Sequence, residues 1–141
     1  MRLLALDVGE RRIGIALSDE EATLARPLLV IQRTTRQDDF DRIQTIVDEW
    51  DVQRVIVGLP LTMEGEVSAQ GRRIKRYVRD LARALTVPVE LFDESYSTVD
   101  ALEIMRVAGQ SRQKRREKVD AVAAAVILQS YLDRGKPFTG A

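Results

Sequence analysis

Apolar residues near the start of the chain fall into three short runs separated by polar turns. Leu3–Val8 and Ile13–Ser18 flank a four-residue polar turn, and this arrangement predicts a β-hairpin. Leu24–Gln32 predicts a third strand, in which Pro27 indicates a position at the edge of the sheet. Gly14 interrupts the second strand, and such a glycine often marks a close approach by another backbone or a ligand.

The apolar period then changes to three and four residues, which is typical of amphipathic helices. Four helices are predicted on this basis: 36–50, 67–86, a helix from Ser97 to Gly109, and a mostly apolar helix from about Lys118 to Leu132. Thr35 and Asp38 resemble a capping box at the start of the first helix.

Two further apolar runs, Arg54–Gly58 and Val87–Phe92, lie between these helices and predict buried strands. Since strands and helices alternate after the opening meander, right-handed crossovers should place helices on the faces of the sheet. We therefore expect an α/β fold with a five-stranded mixed sheet: a three-strand antiparallel meander, then parallel strands, with helices on both faces. The chain is expected to form a single domain over 1–141.

The composition excludes several kinds of site. Because the sequence has no cysteine and no histidine, disulfides, thiolate or imidazole metal ligands and histidine-based triads are excluded. A metal site must then use oxygen ligands, which favour hard ions such as Mg²⁺, Mn²⁺ or Ca²⁺. The longest apolar run, Ala121–Leu128, is too short to cross a bilayer, and the N-terminus does not resemble a signal peptide. We expect no membrane association and a cytoplasmic location.

Positive charge is concentrated in two segments, although the net charge is zero. The second predicted helix carries an arginine stripe opposite its apolar face, at Arg72, Arg76, Arg79 and Arg83. A predicted loop over 110–118 carries a second basic group, at Arg112, Lys114, Arg115, Arg116 and Lys118. Such groups are often only solvated surface, and the alternative is a surface that contacts phosphates.

Several polar or turn-forming residues follow the predicted strands. They are Asp7 in the first run, Gly58 and Pro60 after the fourth, Asp93 and Glu94 after the fifth, and Asp120 in the first turn of the final helix. Because ligands gather at the carboxyl ends of such strands, we expect Asp7, Glu94 and Asp120 to converge there. The predicted walls of this site are Gly9, Gly14, Gly58, Pro60 and Asp93. Taken singly, the acids have simpler explanations, as a turn cap or as helix-end residues.

Three or four carboxylates that converge without histidine form a ligand set for one or two Mg²⁺ or Mn²⁺ ions. Phosphodiester hydrolysis suits such a site, since two ions can activate the attacking water and stabilise the leaving oxygen. The pattern of acids therefore predicts a metal-dependent hydrolase.

The chain also resembles the YqgF/RuvX family. The resemblance rests on five blocks in order: Leu4–Gly9, Arg12–Asp19, Val57–Leu61, Asp93-Glu94 with Ser97-Thr98, and Lys118-Val119-Asp120 with the apolar helix that follows. These blocks run nearly from end to end, and their combination is specific although each alone is weak.

The resemblance implies a ribonuclease H-like fold and a nuclease that processes the 5′ end of pre-16S rRNA, with Holliday junction resolution as the alternative. It also implies that Asp7, Glu94 and Asp120 are catalytic metal ligands and that the two basic groups contact structured RNA or branched DNA. A resolvase would be a homodimer, whereas an RNA nuclease can act as a monomer.

One position departs from the family pattern, and this departure leaves an alternative function open. Ser95 stands where the family usually has arginine, so a cation beside the scissile phosphate is missing. This departure keeps open a non-catalytic protein that binds RNA or a ribosome-assembly partner. A second alternative comes from the hairpin around Asp7 and Gly14, which also resembles the phosphate-binding hairpin of actin-like sugar kinases and chaperone ATPases, but those enzymes use two such lobes.

Overall fold

The computed structural model describes residues 1–61, 65–93 and 112–135, with side chains from Val119 to Arg134 in the last of these ranges. In these ranges the chain forms a five-stranded sheet with strand order β3-β2-β1-β4-β5. The strands are β1 (Arg2–Val8), β2 (Arg12–Ser18), β3 (Ala25–Gln32), β4 (Val52–Leu59) and β5 (Val89–Asp93).

Strand pairing confirms the predicted mixed sheet. β1, β2 and β3 form an antiparallel meander, and β4 and β5 continue the sheet as parallel strands beside β1. β3 lies at the edge, as Pro27 predicts, and the pairing register shifts between Ile15 and Ala16 opposite that proline. The loss of one backbone donor at Pro27 is tolerated there because an edge strand has a side without a partner strand.

Two helices cover one face of the sheet. α1 (Arg36–Glu49) begins where the amide of Asp38 donates to the Thr35 hydroxyl at 3.1 Å, which confirms the predicted cap. α2 (Ala69–Ala84) begins where the amide of Gly71 donates to Ser68 at 3.1 Å. Their apolar faces pack on the β1 residues Leu4, Leu6 and Val8 and on their neighbours in β2 and β4.

A third helix, α3 (Arg112–Gly135), covers the opposite face, where its alanine-rich segment packs on Leu3, Ala5, Ala16 and Ile56. Helices therefore lie on both faces of the sheet, as predicted. The small side chains let the helix backbone come close to the strands, and this proximity matters for the site described below.

The prediction of a loop over 110–118 is wrong for residues 112–118, which are helical. α3 begins at Arg112 rather than near Lys118. This segment contains arginine, lysine, glutamine and glutamate, which favour helix as strongly as leucine does but carry no apolar period. Asp120 is consequently the ninth residue of α3 and not part of its first turn. The helix dipole therefore does not explain its position.

The helix predicted from Ser97 to Gly109 lies outside the described residues. Among the helices that the structure describes, none combines the length and the hydropathy that a bilayer-crossing segment requires.

Candidate active site

Gly14 determines how closely α3 approaches the strand that carries Asp7. Asp7 pairs with Gly14 across the β1–β2 ladder, and the α3 backbone lies directly on Gly14. A Cβ atom at position 14 would overlap the carbonyl group of Asp120 and would lie 2.9 Å from the amide nitrogen of Ala121. The sequence predicted a close approach here, and the group that approaches is the backbone of α3.

This contact brings Asp7 and Asp120 together, although they lie at opposite ends of the chain. Burial, followed by the negative charge of Asp120, raises the pKa of Asp7 from 3.8 to about 6. Two carboxylates that repel each other in a partly buried position attract a divalent cation, because the cation relieves both the repulsion and the desolvation. Two of the three predicted ligands therefore converge.

Arg12 is a member of this site that the sequence analysis did not single out. Its Nε donates to Oδ2 of Asp120 at 2.6 Å, and each side chain retains about a quarter to a third of its exposure. Arg12 is the first residue of β2, next to the hairpin turn. Its place in the turn was visible in the sequence, but its partner depends on where α3 crosses β2.

The ends of β4 and β5 lie at the same edge of the sheet as Asp7. Leu6 pairs with Val57 in β4, and Gly58 and Leu59 pair with Phe92 and Asp93 in β5. Gly58 is buried, Pro60 is half-buried and the Asp93 side chain is exposed at this edge.

The third predicted ligand, Glu94, follows Asp93 and lies outside the described residues. Within the ranges that the structure describes, no group of three acidic side chains is close enough together to hold a metal ion. The described part of the site is therefore a pair of carboxylates, Asp7 and Asp120, with Arg12 beside them.

The predicted basic residues divide between the two faces of the sheet. Arg72, Arg76 and Arg79 are exposed on α2, which packs on the face opposite α3. The second group belongs to the part of α3 that precedes Asp120, at Arg112, Lys114, Arg115, Arg116 and Lys118. Only this second group shares an element with a predicted catalytic residue.

Two solved structures with a similar fold are complexes with Holliday junctions. RuvC of Thermus thermophilus in complex with a Holliday junction substrate superimposes with a TM-score of 0.57 and 18% identity, covering 96% of this chain and 97% of that one. The fowlpox virus resolvase in complex with Holliday junction DNA gives 0.54 and 12%, covering 95% and 98%. The predicted ribonuclease H-like fold is therefore confirmed.

Curated relatives carry the description "Putative pre-16S rRNA nuclease". The relative from Thermoanaerobacter pseudethanolicus is 43% identical over 137 residues, which cover 96% of this chain and 99% of the relative. The relative from Anaeromyxobacter sp. is 48% identical over 133 residues, covering 94% and 97%. The model of the RuvX family, described as a Holliday junction resolvase, matches residues 1–134. The chain therefore belongs to the RuvX family.

Proposed function

We propose that this protein is a divalent-metal-dependent nuclease that acts on structured nucleic acid and processes the 5′ end of pre-16S rRNA. Nuclease activity, the hydrolysis of phosphodiester bonds, follows from the family. The RNA substrate is taken from the description of the curated relatives, which this chain matches over nearly their whole length. In this proposal one domain over 1–141 carries the activity, and the protein works in the cytoplasm.

The observation that supports the catalytic site is the proximity of Asp7 and Asp120. Asp7 is held in a buried position next to the negative charge of Asp120, and its burial first and the repulsion from that charge second raise its pKa to about 6. Such repulsion reduces stability unless a cation binds, and strongly shifted pKa values occur most often at functional sites. We therefore assign Asp7 and Asp120 as metal ligands.

Glu94 is the proposed third ligand. It follows the last residue of β5, and β5 ends beside Gly58 and Leu59 at the edge of the sheet that carries Asp7. The chain offers only oxygen ligands at this edge, which fits one or two Mg²⁺ or Mn²⁺ ions. When bound, such ions activate the attacking water and stabilise the leaving oxygen.

The protein's own residues contribute orientation and charge. Arg12 holds the Asp120 carboxylate in position before the cation arrives. The basic residues from Arg112 to Lys118 lie in the two helical turns before Asp120, so they are suited to bind the phosphates that flank the scissile bond. Because phosphate contacts carry no sequence information, this arrangement favours recognition of shape over base sequence.

A cleavage assay with matched variants tests the proposal. Purified protein is incubated with a precursor fragment of 16S rRNA and with a four-way DNA junction, each with Mg²⁺ and with Mn²⁺. We expect Asp7→Asn and Asp120→Asn to reduce the rate at least 100-fold, and Asp41→Asn, an exposed carboxylate on α1, to leave it unchanged. Unchanged cleavage by Asp7→Asn would refute the assignment of the site.

Holliday junction resolution is the second candidate, and two observations favour it: the description of the matching family and the fold shared with two resolvases. Resolution requires paired cuts, so it predicts a homodimer, whereas RNA processing is compatible with a monomer. Preferential cleavage of the DNA junction by a dimer would select this candidate. Ser95 bears on the third, non-catalytic alternative, which stands only if neither substrate is cut.

A further inference from the structure

A pocket rich in arginine lies between the end of β1, the start of α1 and the first half of α2. Its volume is about 370 Å³, within the range of ligand-binding pockets. We call it the arginine pocket and define it by Arg33, Arg36, Arg73, Arg76 and Tyr77, all of which line it. The sequence analysis placed only Arg76 among its candidates.

The arginine pocket is distinct from the carboxylate site. Successive side chains of a strand point to opposite faces of the sheet. Val8 belongs to the core beneath α1 and α2 and lines the pocket, whereas its neighbour Asp7 faces α3 and Asp120. Gly9, in the hairpin turn, also lines the pocket. The two sites therefore lie on either side of the same strand end.

Two of the four arginines are held rigidly. Nη1 of Arg33 donates to the carbonyl oxygen of Gly9 at 2.6 Å, and its Nε lies 3.7 Å from a carboxylate oxygen of buried Asp39. Arg36 forms an ion pair with Asp80. Both guanidinium groups also lie over the ring of Tyr77, at 4.9 and 5.4 Å from its centroid. These contacts fix the positive charge at the pocket wall before any ligand binds.

The positive charges of the other two arginines are only weakly neutralised by neighbouring side chains. Arg76 has no hydrogen bond or ion pair with any residue in the described ranges. Arg73 lies 3.9 Å from Glu10, and both of these side chains are mostly exposed, so solvent weakens their attraction. The pocket thus carries positive charge that the described residues do not fully neutralise.

Tyr77 supplies an unused hydrogen-bond donor in the same wall. The residue is 2% exposed, and its hydroxyl has no partner among the residues that the structure describes. Burial raises the pKa of Tyr77 to about 12, so the hydroxyl remains protonated at neutral pH. A buried hydroxyl without a partner is costly, and because its oxygen is closed to solvent, a ligand oxygen would reach it only after a shift in the pocket wall.

We propose that the arginine pocket binds a backbone phosphate of the nucleic acid whose scissile phosphate lies at Asp7 and Asp120. Planar guanidinium groups bind the oxygens of phosphates and carboxylates in bidentate pairs, and the phosphate is the anion that a nucleic acid supplies along its backbone. Gly9 is two residues from Asp7, which is about 7 Å along an extended chain. A single strand of the nucleic acid that crosses the hairpin turn can therefore reach both sites. This inference rests on the proposed nuclease function.

The test uses the double variant Arg73→Gln/Arg76→Gln, called the pocket variant, and the control double variant Arg42→Gln/Lys75→Gln. Arg42 and Lys75 are exposed, do not line the pocket, and together lose the same two charges. Binding of the four-way junction and of the precursor RNA is measured with Ca²⁺ across a salt series. We expect the pocket variant to bind at least 10-fold more weakly and the slope of log K against log salt to fall by about 0.9 per lost phosphate contact. The control should match the wild type.

The outcomes separate this inference from the proposed function. If the pocket variant binds like the control variant while Asp7→Asn still abolishes cleavage, the pocket proposal is overturned and the nuclease stands. If the pocket variant binds weakly but no substrate is cut by the wild type, the proposed function fails instead.

A competition experiment identifies the source of the phosphate. If pyrophosphate binds at micromolar concentration and loses affinity in the pocket variant, while nucleic acid binding is unchanged, the pocket serves a free phosphate compound and our proposal is wrong. If pyrophosphate competes with nucleic acid and both lose affinity in the pocket variant, the proposal is supported.

Discussion

Arg12 and Asp120 form an ion pair at 2.6 Å although 108 residues separate them in the chain. The pair sits where α3 crosses the hairpin, beside Asp7, so one carboxylate of the proposed metal site already has a cationic partner. Arg12 contacts Oδ2 of Asp120, so a divalent ion that binds this oxygen competes with Arg12 for it. Arg12 therefore both orients Asp120 and opposes metal binding.

Replacing Arg12 should tighten metal binding. In Arg12→Gln the competing cation is removed, and the repulsion between Asp7 and Asp120 is left for the metal to relieve. An ion pair of this exposure contributes about 0.5–1 kcal/mol, so we expect Mn²⁺ to bind about two- to fivefold more tightly in calorimetric titrations. Arg11→Gln, the exposed neighbour, serves as the control and should not change the affinity. Weaker binding in Arg12→Gln would mean that Arg12 supports the metal site.

Gly14 is predicted to tolerate no side chain. Because a Cβ atom there overlaps the backbone of Asp120, Gly14→Ala must push α3 away from β2. We expect a loss of about 2–3 kcal/mol in the free energy of unfolding, measured with urea. We also expect cleavage to be lost under conditions where the variant is still folded.

Gly65→Ala provides the comparison for Gly14→Ala. Among the residues that the structure describes, none has an atom within 4 Å of a Cβ atom at position 65, and the φ of 78° alone should cost about 1 kcal/mol. Equal effects of the two substitutions would show that α3 does not depend on Gly14 for its approach.

The sheet could be predicted from the sequence because a local sequence pattern identifies each strand. The apolar runs, the hairpin turn and Pro27 specify the meander and its edge without reference to distant residues. The start of α3 could not be predicted in the same way, since 112–118 has helix-forming residues but no apolar period. Hydrophobic periodicity detects a helix that packs, and this segment lacks the apolar stripe that packing requires.

The site could be predicted in part for a related reason. Asp7 and Asp120 stand out because each acid interrupts or precedes an apolar segment. Arg12, Arg33 and Tyr77 do not stand out, because their roles depend on contacts between elements. The register of α3 on β2 determines the partner of Arg12, and the packing of α2 against α1 determines which side chains contact the ring of Tyr77.

The stability of the protein should depend on pH through Asp7. Its pKa is raised to about 6 from 3.8, so the folded state binds this proton more tightly than the unfolded chain does. The resulting stabilisation is fully present below about pH 4 and is lost as the pH rises through about 6. Its loss amounts to about 3 kcal/mol at pH 8.

Asp7→Asn should remove this dependence. In urea unfolding with EDTA, we expect the variant to be more stable than the wild type at pH 8 and similar to it at pH 4. Asp41→Asn controls for the general loss of one carboxylate. An Asp7→Asn variant that is less stable at pH 8 would show that the Asp7 carboxylate makes favourable contacts that outweigh the cost of its burial and its repulsion from Asp120.

The basic segment at the start of α3 should bind nucleic acid without regard to sequence. Replacing Lys114, Arg115 and Arg116 with glutamine preserves helix propensity and removes three charges. We expect affinity for all sequences to fall together and the salt dependence to flatten by about 0.9 per lost phosphate contact, measured by anisotropy on RNA and DNA. The matched control replaces three exposed cations elsewhere: Arg42, Lys75 and Arg134. If the two triple variants bind alike, the segment is only solvated surface, and the phosphates beside the scissile bond must be held by other residues.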